Sequence, residues 1–204
     1  MTQDELFERL KHPNPNLRER AIWELTEVCD ETTVPRLMGN LGEQDVVYRR
    51  ASVKALGAIG ADTVPPLSDA LLNSDDVTVR GSAAKALAQV ALNYPEDPFP
   101  EEGLNALKAA LQDANPVVHV ASVMALGEIG PSAFDILVGA LKTTDNVALA
   151  VSITNAMASI GDERSREVLQ SLIDDESTDD YVRETAVSAL SRLDFVAKNQ
   201  PSAT

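Results

Sequence analysis

Three things are scarce in this sequence: cysteine, aromatic side chains and positive charge. Cys29 is the one cysteine in 204 residues, aromatics make up 4%, and 17 basic side chains face 32 acidic ones for a net charge of −15. A lone cysteine excludes an internal disulfide and a multi-cysteine metal site, and it fits a reducing compartment. The acidic excess excludes a general nucleic-acid binder, because phosphate attraction needs a basic surface. Long apolar runs are missing too. The longest uncharged stretch, Asn146–Gly161, is too short and too rich in Ser, Thr and Asn to span a bilayer, so no membrane insertion is expected. The start, Met1-Thr2-Gln3-Asp4-Glu5, is acidic and unlike a signal or transit peptide, which predicts a cytoplasmic protein. No Gly-rich phosphate loop, HExxH, CxxC or Ser-His-Asp order occurs, so no metal ligand and no catalytic residue is assigned.

What the sequence does contain is a repeat. VVYRRASVKALGAIG (Val46–Gly60) returns as VTVRGSAAKALAQVA (Val77–Ala91), VVHVASVMALGEIG (Val117–Gly130) and VALAVSITNAMASIG (Val147–Gly161). Weaker copies are NLRERAIWELTEVC (Asn16–Cys29) and YVRETAVSALSRLD (Tyr181–Asp194). Anchored on Leu25, Leu56, Leu87, Leu126, Met157 and Leu190, the copies step by 31, 31, 39, 31 and 33 residues. Apolar or small residues at offsets −8, −5, −4, −1, 0 and +3 from the anchor form one helix face. Gly60, Gly130 and Gly161 follow the last apolar position, as at a helix C-terminus. Offset −11 is always Asn or Asp (Asn14, Asp45, Asp76, Asn115, Asn146, Asp179), an N-cap column. Offset −7 holds Arg18, Arg49, Arg80, His119, Ala150 and Arg183, which reads as a ladder between repeats or as arginines serving turn carboxylates and carbonyls. A shorter first helix precedes each copy, as in Thr33–Leu41 and Thr63–Leu72, with prolines near its start. The expected fold is all-α: an α-solenoid of about six short HEAT-like two-helix repeats over residues 1–195, with a flexible tail at 196–204.

The motif DVVYRRASVKALGAIG (Asp45–Gly60), with Asp in the turn and Arg in the second helix, resembles the phycobilin-lyase subgroup of HEAT-like repeats. HPNPNLRERA, NYPEDPFPEEG and DDYVRETAVSALSRL make the chain most similar to the small F-type subunit of that family, or to its Z-type phycoerythrin-operon relative. The resemblance covers Asp4 to Leu193. It implies a subunit or chaperone-like partner of a bilin lyase, helping to join an open-chain tetrapyrrole to a cysteine of a phycobiliprotein client. The same resemblance implies a larger HEAT-repeat lyase subunit as partner. It also implies a bilin, phycocyanobilin or phycoerythrobilin, as transferred ligand rather than permanent cofactor. The alternative is a non-enzymatic scaffold binding a protein partner in cofactor assembly or phycobilisome turnover.

Offsets −6 and −2 of the second helix point most directly away from the apolar face, offset +2 lies at its edge, and in HEAT-type folds this stripe lines the concave side. This stripe includes Trp23, Arg50, Lys54, Lys85, Val120, Met124, Glu128 and Val151. Between residues 37 and 107 the only basic side chains outside the arginine column are Arg50, Lys54 and Lys85, all on the stripe. The ten acids of that segment fall in turns, first helices or the insert. Basic groups beside the apolar Val120, Met124 and Val151 suit a bilin with two propionates and a flat apolar body. They equally suit a solvated face or a protein-docking surface. Trp23 reads as an interface anchor or as a cap on the N-terminal helix. Tyr94 and Phe99, in the Pro-rich insert Asn93–Gly103, read as a partner-contacting loop or as a stiff connector. Cys29 has no neighbouring group to activate it, and the resemblance implies that the accepting cysteine belongs to the client.

Overall fold

The computed structural model describes residues 1–160 and 162–199, with side chains through Asp194. Gly161 and the end of the expected tail therefore lie outside the described residues. Helices α1 to α12 fall into six consecutive pairs, and no strand occurs among the described residues. The pairs are α1 (Gln3–Arg9) with α2 (Pro15–Glu27), α3 (Thr33–Gly39) with α4 (Val46–Ile59), and α5 (Val64–Asn73) with α6 (Val77–Asn93). They continue as α7 (Glu101–Ala110) with α8 (Pro116–Ile129), α9 (Phe134–Thr143) with α10 (Val147–Met157), and α11 (Ser165–Asp174) with α12 (Asp180–Asn199). This is the α-solenoid of two-helix repeats that the column pattern predicts. The helices gather into two compact units, Met1–Ala125 and Leu126 onward, with the boundary inside α8.

The anchor column forms the core. Leu25, Leu56, Leu87, Leu126 and Met157 are fully buried, as are Ala55, Ala86, Ala125 and Ala189 one residue before their anchors. Each buried leucine contributes about 2 kcal/mol relative to exposure. The alanine positions let helix backbones approach. In the first unit α4 lies so close to α6 that a Cβ on Gly57 would sit 2.2 Å from the Cβ of Gln89. The first helix α3 is slightly shorter than the sequence predicts: it ends at Gly39 because Asn40 and Leu41 bond back to Leu37 and Met38 in a tighter turn.

All six residues of the Asn/Asp column cap a second helix. Asn14 accepts from the Asn16 amide at 3.0 Å, Asp45 from Val47 at 2.8 Å and Asp76 from Thr78 at 2.6 Å. Asn115 accepts from Val117 at 2.9 Å, Asn146 from Leu149 at 3.2 Å and Asp179 from Tyr181 at 2.9 Å. The arginine column is mostly not a ladder between repeats. Arg18 donates to the carbonyls of His12 and Pro13 at 2.6 and 2.9 Å, and Arg49 donates to that of Glu43. Arg183 donates to Thr178 and Glu176 at 2.7 and 3.1 Å. Each side chain thus satisfies carbonyls of its own inter-helix turn. His119 does the same: its ring Nε2 meets the Asp113 carbonyl, so that nitrogen is the protonated donor. Arg80 alone among these arginines also crosses to the next copy, reaching the Asp113 carboxylate at 2.7 and 3.1 Å.

The stretch Pro116–Thr143 is long and apolar enough by composition to cross a membrane, and 56% of its apolar window is buried. It consists of two helices, α8 and α9, parted by the 3-10 turn Gly130–Ala133, with Gly130 at φ +83. Gly60 has φ +95, and a Cβ there would also stand 2.9 Å from the Tyr94 ring. Gly60→Ala is therefore expected to cost about 2 kcal/mol, read as a lower urea midpoint.

Asp113 gives a pH prediction. Hydrogen bonds from Arg80, and then from the Asn115 amide, hold its carboxyl below the ordinary value of 3.8 against the opposing effect of burial. A carboxyl depressed in the folded state contributes stability that is complete above the unfolded pKa and is lost as pH falls through the folded pKa. The wild type should lose stability below about pH 4 more steeply than Asp113→Asn, which cannot titrate; urea unfolding across pH 2–6 measures the two slopes.

Candidate functional site

In the first unit the outward faces of four second helices, α2, α4, α6 and α8, carry the stripe. Arg50 and Lys54 stand one turn apart on α4, both exposed, and Lys85 is exposed on α6. Their environments differ. Lys54 is paired with Glu19 of α2 at 3.0 Å, a half-exposed surface bridge worth less than about 1 kcal/mol. Arg50 and Lys85 have no ion-pair partner among the described residues.

Lys85 borders a groove. It has a volume of about 430 Å³ and is lined by Lys85, Pro116, Val117, Val120, Ala121 and Met124. Three of these apolar side chains are unusually open to solvent for their size: Val117 at 55%, Val120 at 44% and Met124 at 61%. Ala121, almost fully buried, forms the floor. The structure brings Lys85, Val120 and Met124 of the predicted stripe to one groove, together with Pro116, Val117 and Ala121, which the sequence does not single out. A signal was present: α8 has apolar residues on its outward positions as well as its core positions, so it is hydrophobic all round, which a helix with a solvated face is not. A clustered exposed apolar surface of this kind marks a binding site more often than chance. With one ammonium at its edge, the groove can hold a flat apolar body carrying a carboxylate.

The other predicted positions do not line the groove. Trp23 is 45% exposed on α2. Glu128 is exposed and Val151 half-buried, both in the second unit. The stripe's +2 position is core rather than surface in α4, where Ala58 is buried because α6 packs so closely there. The insert folds back on the chain. The Tyr94 hydroxyl donates to the Ala58 carbonyl at 2.5 Å, and the Phe99 ring packs over Gly103, where a Cβ would meet it at 2.7 Å. Both aromatics are half-buried, the arrangement of a stiff connector; the exposed part of the insert is Pro95–Pro98. Cys29 is exposed, and its Sγ approaches only the Asp30 carbonyl, at 3.9 Å. Asp175 holds the Ser177 amide and hydroxyl, the arrangement of a turn residue. No cluster of His, Cys, Asp and Glu suited to a metal occurs among the described residues.

Stacked helix pairs with capped turns define a HEAT-repeat protein, and the chain matches the HEAT repeats family over residues 4–93 and 100–193. It is 57% identical over 197 residues to the uncharacterized phycocyanin operon protein Z of Pseudanabaena tenuis (strain PCC 7409), covering 97% of this chain and 98% of that one. It is 33% identical over 178 residues to the bilin biosynthesis protein CpeZ of Synechococcus sp. (strain WH8020), covering 84% and 95%. Among solved structures, a chain in the complex of CpcE and CpcF of phycocyanin lyase from Nostoc sp. PCC7120 shares the fold. The TM-score is 0.50 at 22% identity, over 76% of this chain and 96% of that one. The protein thus belongs to the phycobilin-lyase family of HEAT-like repeat proteins.

Tyr94→Phe removes the hydroxyl that satisfies Ala58 while keeping the ring over Gly60. It should lower stability by about 1 kcal/mol, measurable as a lower thermal midpoint, without loss of helix by circular dichroism.

Proposed function

We propose that this chain is a subunit or chaperone-like partner of a phycobilin lyase, helping to place an open-chain tetrapyrrole on a cysteine of a phycobiliprotein. The observation that carries this reading is the groove: a single ammonium, Lys85, at the edge of an otherwise apolar trough formed by Val117, Val120 and Met124. The name of one relative, a bilin biosynthesis protein, supports a bilin as the ligand. A propionate would meet Lys85, and Arg50 on the neighbouring helix α4 is another cation of the stripe without an ion-pair partner among the described residues. Lys54 is already engaged by Glu19 and takes a smaller share.

The chain's own contribution is binding and orientation. Its thiol lies away from any activating group, so the accepting sulfur is the client's. In this reading the chain works as a lyase subunit beside a larger HEAT-repeat lyase subunit. The second reading, a scaffold that binds only protein, draws on Trp23: a large exposed aromatic outside the groove is the kind of side chain that anchors an interface.

Co-expression with a bilin pathway and the larger subunit decides between them. Coloured protein should co-purify with the wild type, and colourless protein would favour the scaffold. In titration with phycocyanobilin, Lys85→Glu and Met124→Glu should each weaken binding about tenfold or more, and Lys54→Ala should change it less than about threefold. Equal effects from all three substitutions would remove the groove from the site.

A further inference from the structure

The groove opens between α6 and α8. On its side Gly81 of α6 faces α8 at ordinary van der Waals distance: a Cβ there would find its nearest neighbour, Val117 Cγ1, at 3.7 Å. The α4–α6 junction is tighter, with Gly57 pressed against the backbone of Gln89. A charged contact also joins α6 to the turn that leads into α8.

Arg80 and Asp113 span that junction. Arg80 lies on α6 five residues before Lys85, and Asp113 lies three residues before Pro116 in the turn that leads into α8. The guanidinium donates through Nε to one carboxylate oxygen at 2.7 Å and through Nη2 to the other at 3.1 Å. Its remaining nitrogen, Nη1, holds the Ser74 carbonyl at 2.8 Å. Asp113 in turn accepts from the Asn115 amide at 2.8 Å, and its own carbonyl meets His119. One two-point ion pair therefore joins the turn before α6 to the turn before α8. Both side chains are mostly buried, at 14% and 12% exposure, so solvent and salt screen the pair weakly. The matching arginines of α2 and α4 have carbonyl partners only, and Arg183 reaches Asp180 within its own turn.

We propose that Arg80 and Asp113 are positioning residues for the groove. Their ion pair fixes the separation between Lys85 and the lip formed by Pro116 and Val117, and through it the affinity for the ligand. The ligand half of this inference rests on the function proposed above; the geometric half does not.

The test compares Arg80→Ala with Arg49→Ala, an arginine of the same column that serves only its own turn. Phycocyanobilin affinity, measured well below the melting temperature, should fall about tenfold in Arg80→Ala and stay within about twofold in Arg49→Ala. Arg80→Lys, which keeps one charged donor, should recover part of the loss. Asp113→Asn keeps the oxygen that caps Asn115 but removes the charge and replaces the acceptor facing Arg80 Nε with an amide donor, so it reports on the pair if Arg80→Ala folds poorly; it should weaken binding at least about threefold. A ligand-free measurement runs beside these: nitroxides at positions 85 and 117, in a Cys29→Ser background, read by dipolar broadening. The spread of separations should widen in Arg80→Ala and Asp113→Asn and remain narrow in Arg49→Ala. Affinities of Arg80→Ala and Asp113→Asn within twofold of Arg49→Ala, or an unchanged nitroxide separation, would overturn the proposal. If the wild type binds no bilin, the functional reading fails, and the nitroxide comparison alone still decides the geometric one.

Discussion

The structure depends on how its inter-helix turns satisfy their own backbone. A helix pair leaves amide donors at the start of its second helix and carbonyl acceptors in the turn before it, and neither can be abandoned near a core. This chain solves both with side chains at two fixed offsets. The Asn or Asp at −11 takes an amide, and in all but one copy the Arg or His at −7 serves the carbonyls. Because each solution lies within the copy, a copy can be short, here about 31 residues where about 40 to 47 is common for the class. His119 shows that the requirement is for a donor of the right reach, not for a positive charge.

Arg80 is the exception that gives the molecule its local character. The same side chain that meets the turn requirement has donors to spare, and they reach Asp113 of the next copy. Beside that contact the helices meet at ordinary van der Waals distance, and the trough is lined by Val117, Val120 and Met124. An acidic protein thus keeps a lysine at the rim of an apolar trough while most of its carboxylates are occupied in turns and on first helices. In the function proposed above, such a trough is where the chain's contribution to chromophore handling would reside.

The fold was legible in the sequence because each column has a single physical job, and jobs that repeat at constant spacing stand out. The capping column, the buried anchors and the positive-φ glycine at Gly60 all fall where that logic puts them. The site was half legible. Lys85, Val120 and Met124 share one face by periodicity alone, yet the role of Lys54 depends on Glu19, 35 residues away on another helix, which no spacing rule reports. Tyr94 and Phe99 were ambiguous for a similar reason. An aromatic in a proline-rich loop can face either way, and what turned these two inward was a carbonyl at Ala58 and glycines at Gly60 and Gly103.

The close approach at Gly57 has a consequence for how the first unit comes apart. Repeat arrays open junction by junction, since each copy is held only by its neighbours. Where α4 and α6 touch backbone to side chain, and Tyr94 straps the insert to the end of α4, the junction has more to lose than the less tightly packed one beside it. Local opening would therefore start at the trough and stop at Gly57. The amides of α4 and α6 would be the slowest in this unit to exchange with solvent, with the ligand-facing helix edge as its breathing point.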